Sequence, residues 1–244
     1  MAEQEVTRLQ QQLKQLSALL ALGQALGQVE DEAQMGHELA RAMVNILPVT
    51  QWVLLRGDNY KETMPLMARW ENGQLQIAPR AQSVIVEVSN TLASRIGRDG
   101  GLASLADYNV AKPKVRGVFG AAMQSGLAAP LIVGGEAVAA LVVETTRTDA
   151  YDSIDLGVFS QLVAQLNNTL TRLSASFGMQ RMAMTSTIVN SVSQRIQGET
   201  STRGVLNSGA LAALRALNAK RVSVRLGAPP SDDRPSTVSK NGSA

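Results

Sequence analysis

The apolar positions of this 244-residue chain change spacing several times between its ends. Val6, Leu9, Leu13, Leu16 and Leu20 come first, at alternating steps of three and four, with Gln, Lys and Arg between them. Steps averaging 3.5 place all five on one stripe of a helix, the a and d seam of a coiled coil. The spacing predicts a helix over 1–28 whose seam meets a second copy in a parallel dimer. An amphipathic helix lying on its own domain has the same pattern. Glu30-Asp31 interrupts it, and Met35, Leu39, Ala40, Met43 and Leu47 then mark one face of a helix over 32–47. Pro48 ends that helix, because its ring disfavours a helical residue ahead of it.

A strand-rich stretch follows. Residues 51–56 (QWVLLR) and 64–70 (MPLMARW) read as strands, with Pro65 marking a strand start or a sheet edge. Glu71-Asn72-Gly73 is a turn signal and 75–77 a short extended piece. A helix is predicted over 84–96, ended by the glycine-rich 97–101. Residues 107–124 read as an ordered loop with one helical turn, and loops of this length in compact domains are usually functional. The runs 126–133 and 136–145 flank Gly134-Gly135 and predict a hairpin. Both are almost wholly apolar, as befits central strands covered on both faces.

Asp152-Ser153 reads as a helix N-cap. From 154 to 197 there is no proline, and Leu156, Phe159, Val163, Leu166, Leu170, Leu173 and Phe177 again step by three and four. Past Phe177 the seam weakens: Gly178 follows directly, and Met179, Met182 and Met184 enrich the region with adaptable side chains. Residues 196–227 can be laid on 26–57 without a gap. Val205 then falls on Met35, Ala210 on Ala40, Ala213 on Met43, Leu217 on Leu47, Val222 on Trp52, Val224 on Leu54 and Gly227 on Gly57. The repeat predicts the helix and first strand of a second domain, which cannot bury a core alone: either it packs on the first domain or on a partner, or it is a degraded or truncated remnant. The expected organisation is a coiled-coil-like helix over 1–28, a domain over 29–175, a helical linker over 176–198, a partial repeat over 199–227 and a disordered polar tail over 228–244.

Composition removes several chemistries. The chain has no cysteine and one histidine, His37, so thiol nucleophiles, disulfides and multi-histidine metal or haem sites are excluded. The 23 basic residues are scattered and the net charge is +3, which predicts no nucleic-acid partner. Aromatics are only 3% of the residues, too few for a stacking platform. No apolar run reaches the roughly 18 residues of a spanning helix, and no signal-peptide layout opens the chain, so a cytoplasmic location is expected. No Ser/His/acid set, dinucleotide loop or phosphate loop is present, so neither enzyme activity nor a cofactor is expected.

Leu127-Ala128-Ala129-Pro130-Leu131, Gly134-Gly135 and Ala140-Leu141-Val142-Val143, followed by an acidic turn over 149–155 and a helix over 156–166, resemble the corresponding part of GAF domains. The similarity extends over about 18–175, and 188–227 resembles the opening of a second such domain. Ala140 stands where the family often has glycine. The resemblance implies an α+β fold, a central antiparallel sheet with helices on its faces, here between long amphipathic helices. It implies a non-catalytic sensory or regulatory module of bacterial signal transduction. It also implies a pocket between the sheet and 84–124. Arg69, Lys112, Lys114 and Arg116 would hold an anionic small molecule there, and Asp107 and Tyr108 would orient it. The bilin-attaching and sulfoxide-reducing cysteines of some members are absent, as is an NKFD-like cyclic-nucleotide motif, and His37 lies away from the expected pocket. Two readings follow. One is a sensor that relays ligand or partner binding through a homodimer to a separate signalling partner. The other is a ligand-free scaffold or assembly subunit that self-associates. In both, the dimer seam comprises Leu9, Leu13, Leu16, Leu20, Phe159, Val163, Leu166, Leu170, Leu173 and Phe177.

Overall fold

The computed structural model describes residues 2–57, 62–81, 84–99, 101–120 and 122–197, with 204, 210–211, 221–224 and 236–239. It divides into two compact units, Met1–Ser174 and Ala175–Ala244. The first unit opens with helices α1 (Ala2–Gln28) and α2 (Glu32–Ile46). Strands β1 (Gln51–Arg56), β2 (Thr63–Glu71), β3 (Gln74–Ile77) and β4 (Ile85–Glu87) follow, then helix α3 (Ala93–Asp99) and strands β5 (Ala103–Leu105), β6 (Ser125–Val133) and β7 (Glu136–Thr145). Helix α4 (Ser153–Gln197) runs on into the second unit.

The seven strands form one antiparallel sheet in the order β3-β2-β1-β7-β6-β5, with β4 paired to β2. Turn chemistry sets the hairpins. Gly134 and Gly135, at φ 62° and 87°, link β6 to β7, and Asn72 and Gly73, at 49° and 84°, link β2 to β3. Only glycine and asparagine enter that left-handed region cheaply. Asp31 caps α2 by accepting from the Gln34 amide at 2.8 Å, and Gln34 reaches back to accept from the Glu30 amide. Glu32, in the first turn of α2, binds Arg56 of β1 at 2.7 Å and also Arg80. Burial opposes ionisation of Glu32, but the two guanidiniums outweigh it and lower its pKa.

The predicted helix over 84–96 is corrected: β4 and α3 occupy that span. Ile85 and Val86 are β-branched, and here Thr63, Met64 and Pro65 pair with Glu87, Val86 and Ile85 in register. The Thr91 hydroxyl donates to the Val88 carbonyl, and α3 begins only after that turn. Strand β5, just past the glycine-rich 97–101, carries no sequence signal of its own. Pro65 lies beyond the end of β1's register with β2, so its missing N–H costs the β1 ladder nothing.

Both faces of the sheet are covered, as the apolar β6 and β7 require. On one face Trp52, Leu54, Ala68, Leu127, Leu141 and Val143 pack with residues of α1, α2 and α4. On the other, Val53, Leu55, Leu66, Ala128, Ala140 and Val142 pack with Val88, Leu92, Ile96, Tyr108, Val115 and Val118. Helix α1 joins the first core through Leu19, Leu22 and Leu26, which are buried. Polar contacts hold it beside α4. Gln15 donates to Asp155 at 2.9 Å, Gln165 to the Leu19 carbonyl, and Arg172 to the carbonyls of Leu26 and Val29. These pairs ascend together, so α1 and α4 run parallel.

This packing separates the residues expected to share one seam. Val6, Leu9, Leu13, Leu16 and Leu20 remain 49–65% exposed. Phe159, Leu166, Leu170 and Leu173 are buried within this chain, and Val163 packs partly buried against the same core. Buried side chains have no surface left for a second copy. Phe177, in the second unit, is exposed. The N-terminus of α4 is closed by Asp152, whose carboxylate accepts from the amides of Ile154 at 2.7 Å and Asp155 at 2.9 Å. Asp152→Ala is expected to cost about 1 kcal/mol. That corresponds to a fall of about 2–4 °C in the melting temperature, checked by circular dichroism.

In the second unit, strand β8 (Arg221–Val224) lies where the repeat places a strand, and Ala210 is helical and buried. Strand β9 (Ser236–Ser239) pairs antiparallel with β8. The expectation of a tail without structure is therefore corrected at 236–239: alternating Thr237 and Val238 suit an extended partner for Val222 and Ser223. Val205, Ala213, Leu217 and Gly227, and the side chain of Met184, lie outside the described residues. No helix among the described residues is long and apolar enough to cross a membrane.

Candidate functional site

One sheet face carries polar residues where its neighbours are apolar. At the β1/β7 register, Gln51 stands opposite Glu144, and across the next strand Glu144 stands opposite Gly126. Both Gln51 and Glu144 are fully buried. Alternation along the strands puts them on the same face as Val53, Leu55, Ala140 and Val142, beneath the 106–124 segment.

The Glu144 carboxyl gathers three neutral groups. Gln51 Nε2 lies 2.5 Å from Oε2, the Val118 amide donates to Oε2 at 3.1 Å, and the Tyr108 hydroxyl donates to Oε1 at 2.9 Å. Burial raises the Glu144 pKa, against the opposing pull of Val118 N–H, Gln51, Tyr108 and the Arg116 charge. Burial, then the nearby Glu144 charge, holds the Tyr108 phenol well above its ordinary value. Gly126 makes room for this arrangement, since a β-carbon there would overlap the Tyr108 hydroxyl. Gln51 Oε1 is buried without a hydrogen-bond partner.

The six residues expected to grip an anion do not converge on one point. Tyr108 is buried and engaged with Glu144. Asp107 accepts from the amide of Asn109 in its own turn. Lys112 and Lys114 are exposed. Arg116 pairs with Glu87 at 3.5 Å. Arg69 of β2 pairs with Glu71, and its guanidinium lies 4.1 Å from the centre of the Phe119 ring, a cation–π contact. Arg69, Glu71, Gln74, Leu75 and Gln76 line a cleft of about 150 Å³ at the β3 edge. His37 lines a separate groove of about 510 Å³ with Ala25, Gln28, Val29, Gln34, Glu38 and Arg41 of α1, α2 and the turn between them. No group of three or more His, Asp or Glu among the described residues is arranged to hold a metal.

Sequence reasoning missed Glu144, Gln51 and Phe119. The signal for the first two was present: each is a polar side chain at the end of an otherwise apolar central strand. Their pairing depends on the β1/β7 register, which brings together residues 93 positions apart.

No protein-family model and no curated protein matches the chain. Among solved structures, it is similar to the GAF domain of an Acinetobacter phosphoenolpyruvate-protein phosphotransferase, with a TM-score of 0.53, 16% identity, and 67% of this chain and 97% of that one covered. The GAF domain of a Coxiella burnetii phosphoenolpyruvate-protein phosphotransferase gives 0.52 and 17%, covering 68% of this chain and 98% of the other. The photosensory core module of a Stigmatella aurantiaca phytochrome gives 0.63 at 12% identity. That match takes in 93% of this chain and spans about half of that module, 49% of its length. It therefore reaches beyond the first unit. With the mixed α+β layout and the seven-stranded antiparallel sheet with helices on its faces, these likenesses establish the fold of the chain as GAF-like.

Proposed function

We propose that the chain is a non-catalytic regulatory module of signal transduction that acts as a homodimer, with α1 as the element connecting domain and dimer. One observation carries this reading: α1 has two apolar faces with different fates. Leu19, Leu22 and Leu26 belong to the domain core, while Val6, Leu9, Leu13, Leu16 and Leu20 form an exposed stripe with a and d spacing. Gln10, Gln12 and Ser17 flank that stripe without charge, so two copies meet no like-charge repulsion there. Any change that shifts the core beneath α1 biases the packing of the seam. In this reading a separate signalling partner receives that change. The phosphotransferase and phytochrome origins of the similar structures support a regulatory reading of the fold.

Sizing with light scattering tests the seam. The full chain is expected at twice its 25.9 kDa mass at micromolar concentration, and the Leu13→Glu/Leu20→Glu variant at the single-chain mass and still cooperatively folded. A single-chain mass for both overturns the dimer. A second reading, a ligand-free scaffold that self-associates, is favoured by the dense apolar packing between the sheet and 84–124. A thermal-shift screen with nucleotides, amino acids and small carboxylates separates the two: a saturable stabilisation supports the sensor, and none supports the scaffold.

A further inference from the structure

Glu144 is fully buried on the sheet, and the groups around it tie the 106–124 segment down. Two of its three partners, the Tyr108 hydroxyl and the Val118 amide, belong to that segment, and the Tyr108 amide also donates to the Gln124 carbonyl at 2.7 Å. No basic side chain among the described residues hydrogen-bonds the carboxyl. The charged and titratable groups facing it are few. The segment supplies Tyr108 and Arg116, the latter 44% exposed and paired with Glu87. The stretch before α4 supplies Tyr151, whose hydroxyl is engaged with the Pro48 carbonyl. On β2, beyond Gln51, Glu71 and Arg69 neutralise each other. Strand β6 contributes only Gly126 and β1 only the neutral Gln51. A buried carboxylate without a bonded cation is costly, so the site favours the neutral acid.

The Gln51 contact says the same. An N–H···O separation is usually about 2.7–3.2 Å, whereas O–H···O contacts run to about 2.5 Å. The Gln51–Glu144 separation is 2.5 Å. With the amide turned over, a protonated Glu144 Oε2 donates to Gln51 Oε1 while still accepting from Val118, Oε1 of Glu144 still accepts from Tyr108, and Gln51 Nε2 takes the unpartnered place that Oε1 holds now.

We propose that Glu144 is a proton-operated latch, which as the neutral acid holds the 106–124 segment against the sheet and on losing its proton releases it. Deprotonation leaves in the apolar layer a charge that three neutral donors bind but no cation pairs with, and burial outweighs those donors. The least costly relief is to let water in by lifting Tyr108 and Val118 away. The sign follows from burial. A carboxyl with its folded pKa raised above the ordinary 4.5 contributes stability in full below that value and loses it as pH rises through the raised one.

Hydrogen exchange of the full chain, compared with Glu144→Gln at each pH, reads this directly. Glutamine has the shape of the neutral acid and cannot ionise. At pH 4 the hydrogen-bonded amides of Tyr108, Val118 and Gln124 are expected to exchange within about twofold of each other in the two proteins. Each pH unit between the ordinary carboxylate value and the Glu144 midpoint should lower wild-type protection by up to about tenfold relative to the variant, with no further fall above the midpoint. Equal protection at every pH overturns the latch. The wild type supplies a second test if the variant does not fold. The Glu144 carboxyl carbon, followed by NMR, should titrate above the usual carboxylate range, and a midpoint at or below that range overturns the proposal. Neither readout depends on the α1 seam.

Discussion

Truncating Phe159 to alanine is expected to cost the first unit about 3–5 kcal/mol and to leave association through α1 intact. The ring is fully buried in the core beneath the helices, with Leu162, Leu166, Trp52 and Leu141 in the same cluster. Its removal loses the transfer energy of a large apolar group and leaves a cavity that rigid strands cannot close. The denaturation midpoint should fall sharply, while the mass of the protein that remains folded stays that of the wild type. Glutamate at the seam gives the opposite pair of results. Leu13 is exposed on the single chain, so Leu13→Glu changes mass and costs only the stabilisation that association supplies. A Phe159→Ala protein that dissociates with its unfolding temperature unchanged would return Phe159 to the seam.

The second large effect is at Gly126. A β-carbon there would overlap the Tyr108 hydroxyl, lie 2.9 Å from the Val143 carbonyl oxygen and 3.2 Å from a Leu92 methyl. The backbone carbonyl belongs to the sheet and cannot retreat, so Tyr108 must. Gly126→Ala is therefore expected to cost about 2–4 kcal/mol, from overpacking and from a buried carboxyl stripped of one donor. Thermal unfolding gives the loss, and hydrogen exchange at Tyr108 and Val118 shows where it falls. Tyr108→Phe removes the colliding oxygen. The double variant should thus lose less than the sum of the two single changes. Strict additivity would mean that the glycine serves the β6–β7 backbone and not the tyrosine.

The sheet was readable where local chemistry decides it. Gly134-Gly135 and Asn72-Gly73 announce their hairpins, and the apolar β6 and β7 announce burial on both faces. Residues 84–96 were misread because Ile85, Val86 and Val88 suit either element, and only pairing with Thr63–Pro65 selects the strand. Both long helices carry steps of three and four, which locate a stripe but not what covers it. Leu19, Leu22 and Leu26 make a second stripe on α1, and the core took that one, leaving the heptad stripe in the open. On α4 the core took the stripe itself. The site was least legible. The sequence shows Arg69, Lys112, Lys114 and Arg116 only as cations near a loop, and each of the two arginines meets a local carboxylate. The polar centre is Glu144 with Gln51, which only the strand register joins.

The dimer seam on α1 is tested most directly by a disulfide, since the chain has no cysteine to interfere. Leu16 occupies a d position and Gln11 the outward f position of the same heptads. Under mild oxidation, Leu16→Cys is expected to run as a covalent dimer at micromolar concentration, and Gln11→Cys as a single chain. Absence of crosslinking at position 16, or equal crosslinking at both positions, would contradict a parallel seam through Leu9, Leu13, Leu16 and Leu20.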